Sequence, residues 1–314
     1  MDFTSILRQF TSAPKKPLVK KGTLKIGVVE TTPVVFHDRL LRFEWIRNHS
    51  WGKASGATQD VGYYHFIDME TEEEVCPPFA LDHSFGCCYA EGGVMYVQGV
   101  RGNGGGNTLA CMRSEDLIHW EMGEPIVFPE EIRLYNTSCC KGKDGYVLAI
   151  EIGGKHPAVG RAFTIIFATS QDLMHWELMD MMEVSYSRER YTACPVLRYY
   201  DGYYYMIYLE AMPLRRYVPY IVRTKDLMEF EPSPISPVMF YSDEDKALSP
   251  TARFTEEQKE FIRCALNCNN SDVDLCNWKG KTVLTYSWGN QVGKEFLAWA
   301  EYDGSEQEFL ESFF

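Results

Sequence analysis

The chain is poor in several features that would have decided its class at once. It has no apolar run near the ~18 residues that a membrane span needs, so no membrane partner is expected. Its first 22 residues, MDFTSILRQFTSAPKKPLVKKG, hold no apolar stretch followed by a small-residue cleavage site, so no secretory signal is read there and a cytoplasmic location is the expectation. Basic residues are outnumbered, with 31 Lys and Arg against 44 Asp and Glu and a net charge of −13, which argues against a nucleic-acid backbone as partner. Ten cysteines are present, but none lies in a close CxxC spacing and two pairs, Cys87-Cys88 and Cys139-Cys140, sit in apolar runs. Buried reduced thiols are expected rather than a disulfide framework or a zinc site. The glycine-rich RGNGGGN at Arg101 to Asn107 lacks the Gly-Lys-Ser/Thr ending of a phosphate loop. It reads as a loop that lets something approach the backbone. The acidic run Glu72-Glu73-Glu74 reads as a solvated turn.

What the chain does have is repetition. SEDLIHWE starts at Ser114, SQDLMHWE at Ser170 and a diverged TKDLMEFE at Thr224, 56 and 54 residues apart. Self-similarity at such a period means stacked or circularly arranged supersecondary units. Each copy follows a short apolar strand (TLACMRS, FTIIFATS, PYIVRT), and each of these follows a hairpin with Gly or Asp in its turn (CCYAEGGVMYVQGV, CCKGKDGYVLAIEI, PVLRYYDGYYYMIYLE). Two more hairpins, TPVVFHDRLLRFEWIR and DVDLCNWKGKTVLTYSW, lack the phrase. Five four-stranded units about an axis make an all-β fold, a five-bladed β-propeller over residues 1–314, with an open β-sandwich as the alternative. Residues 1–22 read as an N-terminal extension and 241–268 as a partly helical insertion before blade 5, with the helix in TEEQKEFIRCALN. The unpaired strand GTLKIGVV is expected to complete the last blade and close the ring.

The repeat also says where chemistry should lie. His119 and His175 share a repeat position, which makes them structural, with Asp116, Asp172 and Asp226 accepting backbone N–H bonds in their turns. Those turns join strands 3 and 4, so a site is expected on the opposite rim, where first strands begin and second strands end. Glu30, Asp82, Glu151, Glu210, Asp272 and Asp274 fall there. Glu151 and Glu210 each close an apolar strand, where an ionised carboxylate is costly without a partner or a task. Asp274 is expected to share a face with Asp272 but to sit deeper. The same rim would carry Glu30, Arg47, His83, Asn136, Arg190, Tyr191, Trp288 and Asn290 as sugar-binding residues, with Arg101, His156, Arg161, Arg188, Arg215 and Asn270 nearby.

With the DGYYYMIY hairpin and the SxDLxHW turns, nearly the whole chain resembles the five-bladed propeller glycoside hydrolases, the group of family 43 arabinanases and xylosidases and family 32 fructosidases. That family carries an Asp before a blade 1 Pro, an Asp before a blade 3 Pro and a Glu before a blade 4 Pro. The matching positions here are Thr32, Asn136 and Ala193 to Cys194, none of them a carboxylate. The chain therefore looks like a divergent branch with RYTACP, YLEA, NNSDVDLC and YSWGNQ of its own. The resemblance implies a carboxylate acid/base pair acting on a small carbohydrate, with inversion favoured by the habit of the relatives. Glu210 is the expected general acid, Asp272 or Glu151 the base, and the third a sugar ligand. No cofactor is implied, though the architecture leaves room for an axial divalent ion such as calcium. A phosphorylase holding phosphate on Arg188, Arg190 and Arg161, or a non-catalytic sugar-binding propeller, are the alternatives; oligomeric state is left open.

Overall fold

The computed structural model describes residues 16–47, 62–214, 216–290 and 294–314. Five antiparallel sheets stand in a ring, each with an inner strand at the axis: Thr31–Phe36, His83–Glu91, Ile132–Gly142, Ala193–Tyr200 and Asn269–Trp278. Blades 2 to 4 are built wholly from consecutive chain. Blade 5 is completed by the strand Leu18–Ile26, which pairs antiparallel with Glu295–Tyr302. The ring is thus closed by the N-terminal strand, as the unpaired segment predicts, but that strand starts at Leu18 and takes in part of the stretch read as an extension. Blade 1 has three paired strands, and its outer edge is met only by isolated bridges, Tyr64 with Phe79 and Ile67 with Glu74.

The ring holds because each blade is apolar on both faces. Five hydrophobic clusters fill the spaces between neighbouring blades, one per interface. Between blades 3 and 4, for example, Phe167, Met206 and Tyr208 pack with Leu197 and Val222. Strands covered on both sides read as near-continuous apolar runs, and closing them radially leaves few exposed edges. The blade 4/5 cluster is capped by the C-terminal helix Glu306–Glu311 through Phe309, Leu310 and Phe313. In the insertion the helix covers Glu256–Cys264, started by a Thr255/Gln258 capping box. All ten cysteines are free thiols. No helix of the described residues is long and apolar enough to cross a membrane.

The repeated phrase is a turn device. In each copy a hydroxyl accepts the N–H three residues on, Ser114 from Leu117 at 2.8 Å, Ser170 from Leu173 at 2.9 Å and Thr224 from Leu227 at 3.0 Å. The aspartate two residues on then accepts two further backbone N–H bonds, and those of the first two copies also hold His119 and His175 at 2.7 Å. Leu117, Leu173 and Leu227 pass through left-handed φ of 65°, 66° and 64° to bury their side chains between blades. The histidines stay exposed on the outer rim.

Candidate active site

The inner strands of blades 2 to 5 share an irregularity that no periodicity reveals. Their pairing slips at Ser84/Gly86, Leu134/Thr137, Ala193/Val196 and Ser271/Asp274, a β-bulge near the start of each strand. Phe85, Cys194 and Asp272 occupy these bulges with left-handed φ of 41°, 50° and 49°. Such conformations cost roughly 1–3 kcal/mol each in non-glycine residues and persist where the surroundings hold them. In blade 5 the bulge lets Val273 join the core with Tyr286 while Asp272 turns to the axis. It also breaks the alternation on which Asp272 and Asp274 were expected to share a face.

Three carboxylates meet at that level. Glu30 precedes the inner strand of blade 1, Glu151 lies in the second strand of blade 3, and Asp272 is the bulged residue of blade 5. Glu151 Oε2 accepts from Asn136 Nδ2 at 3.0 Å and from the Cys194 backbone N–H at 2.8 Å. The Cys194 thiol donates to Asp272 Oδ1 at 3.1 Å, and Ser287 Oγ donates to Asp272 Oδ2 at the same distance. Glu30 takes both its oxygens to Arg47, at 2.6 and 2.8 Å. Glu30, Asn136, Cys194 and Asp272 line one small recess of about 30 Å³ on the axis. That volume suits a water, so anything larger must lie over it at the mouth.

Burial governs the electrostatics. It pushes the Glu151 carboxyl up to about 8, the Cys194 and Asn136 donors opposing and the charges of Asp272 and Glu30 adding to the rise. Burial likewise lifts Glu30 to about 7, against the pull of Arg47 and with Asp272 adding. The Cys194 thiol is held far up by burial and by Asp272 and Glu151, so it serves as a neutral donor between two carboxylates rather than as a thiolate nucleophile.

Glu210 stands apart from this group. Across the bulge, Glu151 of blade 3 matches Tyr208 of blade 4 and Tyr286 of blade 5, since their strand neighbours pair with the residues flanking each slip. Glu210 lies two residues further along, on the same rim but outward. Its Oε2 is 3.2 Å from Arg190 Nε, and Arg190 also donates to the hydroxyls of Tyr186 and Tyr208. Glu210, the acid expected from the sequence, thus pairs with Arg190 outside the recess, whereas burial raises the carboxyl of Glu151, which is linked to the recess through Asn136 and Cys194.

The remaining rim candidates divide. Arg47 and Asn136 hold the carboxylates, and Tyr191 is ringed by Phe163 and Tyr217 at 5.3 and 5.4 Å. His83 is buried beside Tyr64, its Nδ1 3.1 Å from the Leu81 carbonyl, behind the mouth rather than in it. Trp288 is not on the rim at all: it is wholly buried, stacked on Phe296 at 4.2 Å with Nε1 donating to Thr23. A tryptophan ending an apolar strand satisfies the core as readily as a mouth, and here the closing N-terminal strand claims it. Trp288→Phe is expected to lower stability by about 1–3 kcal/mol in chemical denaturation, from the lost ring volume and the orphaned Thr23 contact. Asn290 follows the second strand of blade 5, its N–H on the Lys294 carbonyl at 3.2 Å. Asn270 is buried against Asp245, and Asp274, which also lines the recess, pairs with Arg198 at 2.7 Å. Arg188 is taken up by the Met182 carbonyl. Arg215 lies outside the described residues. Among the described residues no three His, Cys, Asp or Glu are grouped to hold a metal ion.

Sequence reasoning missed Cys194 as a member of the site. The signal was present in the alignment of blades, where Phe85, Tyr135, Cys194 and Asp272 each open the bulge, but a cysteine there carried no expectation of chemistry.

No protein-family model matches the sequence, and no curated protein is similar to it. Solved structures are similar in fold. A complex of BT0996 with RGII aligns at TM-score 0.59 and 12% identity, over 96% of this protein and 96% of that one. A glycosyl hydrolase from Bacteroides ovatus aligns at 0.54 and 11%, over 91% of this protein and 93% of that one. A β-1,2-mannobiose phosphorylase from Listeria innocua, in complex with β-1,2-mannobiose, aligns at 0.55 and 12%, over 93% of each. The fold is therefore the five-bladed propeller that these proteins share.

Proposed function

We propose that the protein is a glycoside hydrolase acting at the axial mouth on a small oligosaccharide. The observation that carries this reading is that Glu30 and Asp272 line one recess while Glu151, raised to about 8, is joined to the recess residues Asn136 and Cys194 by hydrogen bonds. Glycoside hydrolysis asks for one protonated carboxyl to give a proton to the leaving oxygen and one carboxylate to activate water or attack carbon. Glu151 supplies the first, because a carboxyl raised that far still holds its proton at neutral pH. Asp272 supplies the second, both its oxygens accepting from neutral donors that orient it. Glu30 with Arg47 sets the local charge and offers a sugar-hydroxyl contact, and Glu210 with Arg190 offers another further out. With a water over the recess, Asp272 as its base, and proton return through solvent, the pair runs an inverting displacement.

Hydrolysis is favoured over phosphorolysis by the state of the rim arginines. Arg190 is already engaged by Glu210 and two tyrosines, and Arg188 by a carbonyl, so of the three arginines a phosphorylase would use only the exposed Arg161 is left for an incoming phosphate. The test is a screen of the full chain against aryl glycosides and disaccharides, with and without inorganic phosphate. Release of free sugar independent of phosphate, lost in Asp272→Asn, is the expected result. Strict dependence on phosphate with sugar-1-phosphate as product would replace this reading by a phosphorylase. Sugar binding unchanged in Asp272→Asn, with no turnover by the unaltered protein, would replace it by a binding module.

A further inference from the structure

Beside the carboxylates runs an arc of aromatic rings that the acid/base chemistry does not use. Phe85, Tyr135, Phe163, Tyr191 and Tyr217 follow one another with ring centres 5.3, 5.0, 5.3 and 5.4 Å apart. They come from separate places in the chain: the bulges of blades 2 and 3, the residue before the third strand of blade 3, and both sides of blade 4. Tyr135, Phe163, Tyr191 and Tyr217 belong to none of the five clusters between blades. All four are half-buried. Core packing therefore does not account for them. Gly153 makes their approach feasible, since a Cβ there would stand 3.0 Å from the Tyr135 ring and 3.2 Å from that of Phe163.

Two further observations tie the arc to the site. Burial raises the Tyr191 hydroxyl and the nearby carboxyls of Glu151 and Asp272 add to the rise, while Tyr135, raised by burial, is close enough to sense Arg133, which opposes the rise, and Glu151, which adds to it. The hydroxyls of Tyr135, Tyr191 and Tyr217 have no hydrogen-bond partner among the described residues, although Tyr186 and Tyr208 nearby are both engaged. Buried or half-buried phenols normally find a partner. Three that do not, standing in an arc at the edge of a carboxylate cluster, present ring faces and edges to C–H groups and free hydroxyls to a polar ligand.

We propose that Tyr135, Phe163, Tyr191 and Tyr217 form a subsite for a second sugar unit, so that the substrate is an oligosaccharide of at least two neutral sugars rather than the glycoside of a small alcohol. Neutral sugars are specified because carboxylates stand beside the arc and the guanidiniums at hand are engaged, Arg47 by Glu30, Arg190 by Glu210 and Arg133 by the Gly104 carbonyl. The inference rests on the reading of the axial mouth as a sugar site. A sugar over the axial recess and a second on the arc would be neighbours along one oligosaccharide.

Binding, not turnover, tests it. Full-length Asp272→Asn protein would be titrated with xylobiose, mannobiose, arabinobiose and cellobiose and with the methyl monoglycoside of each, following saturation transfer from aromatic protons by NMR. At least one disaccharide is expected to bind about tenfold tighter than its methyl monoglycoside, and Phe163→Leu or Tyr217→Phe should each cut that advantage about fivefold, in keeping with the ~1 kcal/mol of an aromatic contact or hydrogen bond. Thermal denaturation would show whether each variant remains folded, and the conservative Tyr217→Phe keeps the ring. Disaccharides binding no better than monoglycosides, or an advantage that survives both variants, overturns the subsite. Arc-dependent disaccharide binding by a protein that turns over none of these sugars would uphold the subsite and sink the hydrolase reading.

Discussion

Glu151→Gln is expected to lower turnover of unactivated disaccharides by about 10²–10⁴-fold, the usual worth of a positioned general acid. The loss should shrink on aryl glycosides, whose leaving groups need little help from a proton. In the unaltered protein the rate should fall as pH rises through about 8, because the acid is spent once its proton is gone. The variant should lack that limb. Stability carries the same signature with a definite sign. The folded state holds the Glu151 proton to about 8 while the unfolded chain releases it near the ordinary carboxylate value, so this group's contribution is full at acid pH and is lost as pH rises, at about 1.4 kcal/mol per unit across that window. Glu151→Gln should therefore gain relative to the unaltered protein between pH 5 and pH 9 in denaturant titrations. A pH–rate profile and a pH–stability profile that are both unchanged by the substitution would remove Glu151 from the mechanism.

Arg198→Met is expected to destabilise the fold by about 3–5 kcal/mol, the range for breaking a buried ion pair from one side. Arg198 projects from the inner strand of blade 4 beneath the recess, where its guanidinium reaches Asp274 of blade 5 at 2.7 Å, Glu306 of the C-terminal helix at 3.2 Å and the Leu275 carbonyl. Both carboxylates are buried. Without the cation they can stay folded only by taking up protons, so the loss should be smaller at pH 5 than at pH 8. Adding Glu306→Gln to Arg198→Met should recover part of the stability, since the amide removes one uncompensated charge while keeping a partner for the Tyr200 hydroxyl, which now meets Glu306 at 2.7 Å. A variant as stable as its parent at pH 8 would show that water reaches this end of the axis and screens the carboxylates. Its partner Asp274 lines the recess, so an active enzyme should lose rate along with stability.

Much of the fold was legible because propellers repeat. The three SxDLxHW turns and five hairpins carry blade number and register in local sequence, and radial closure then follows from apolar strands that must be covered on both faces. The strand without a partner implied its own place in blade 5. Even so, its start at Leu18 was missed, because VKK reads as polar and exposed until the partner strand supplies hydrogen bonds.

The site was legible only in outline. Counting strands put Glu30, Glu151, Glu210 and Asp272 on one rim, which needs no more than the direction of each strand. Which of them meet was decided by the bulges. A single extra residue in an inner strand changes which side chain faces the axis, and it made Asp272 and Cys194 neighbours across 78 residues of chain. Sequence separation and alternation hold no record of that, because a bulge is stabilised by its cross-blade contacts rather than by local propensity. The same holds for protonation. Glu151 and Glu210 look alike in the sequence, each an acid closing an apolar strand, yet one is enclosed with two other carboxylates and the other is open to Arg190. The sequence by itself determined the ring, its register and the rim on which chemistry can occur. Only tertiary structure decided which carboxylates share a recess, because proximity across blades and the dielectric around each group are properties of the packed ring and not of any one strand.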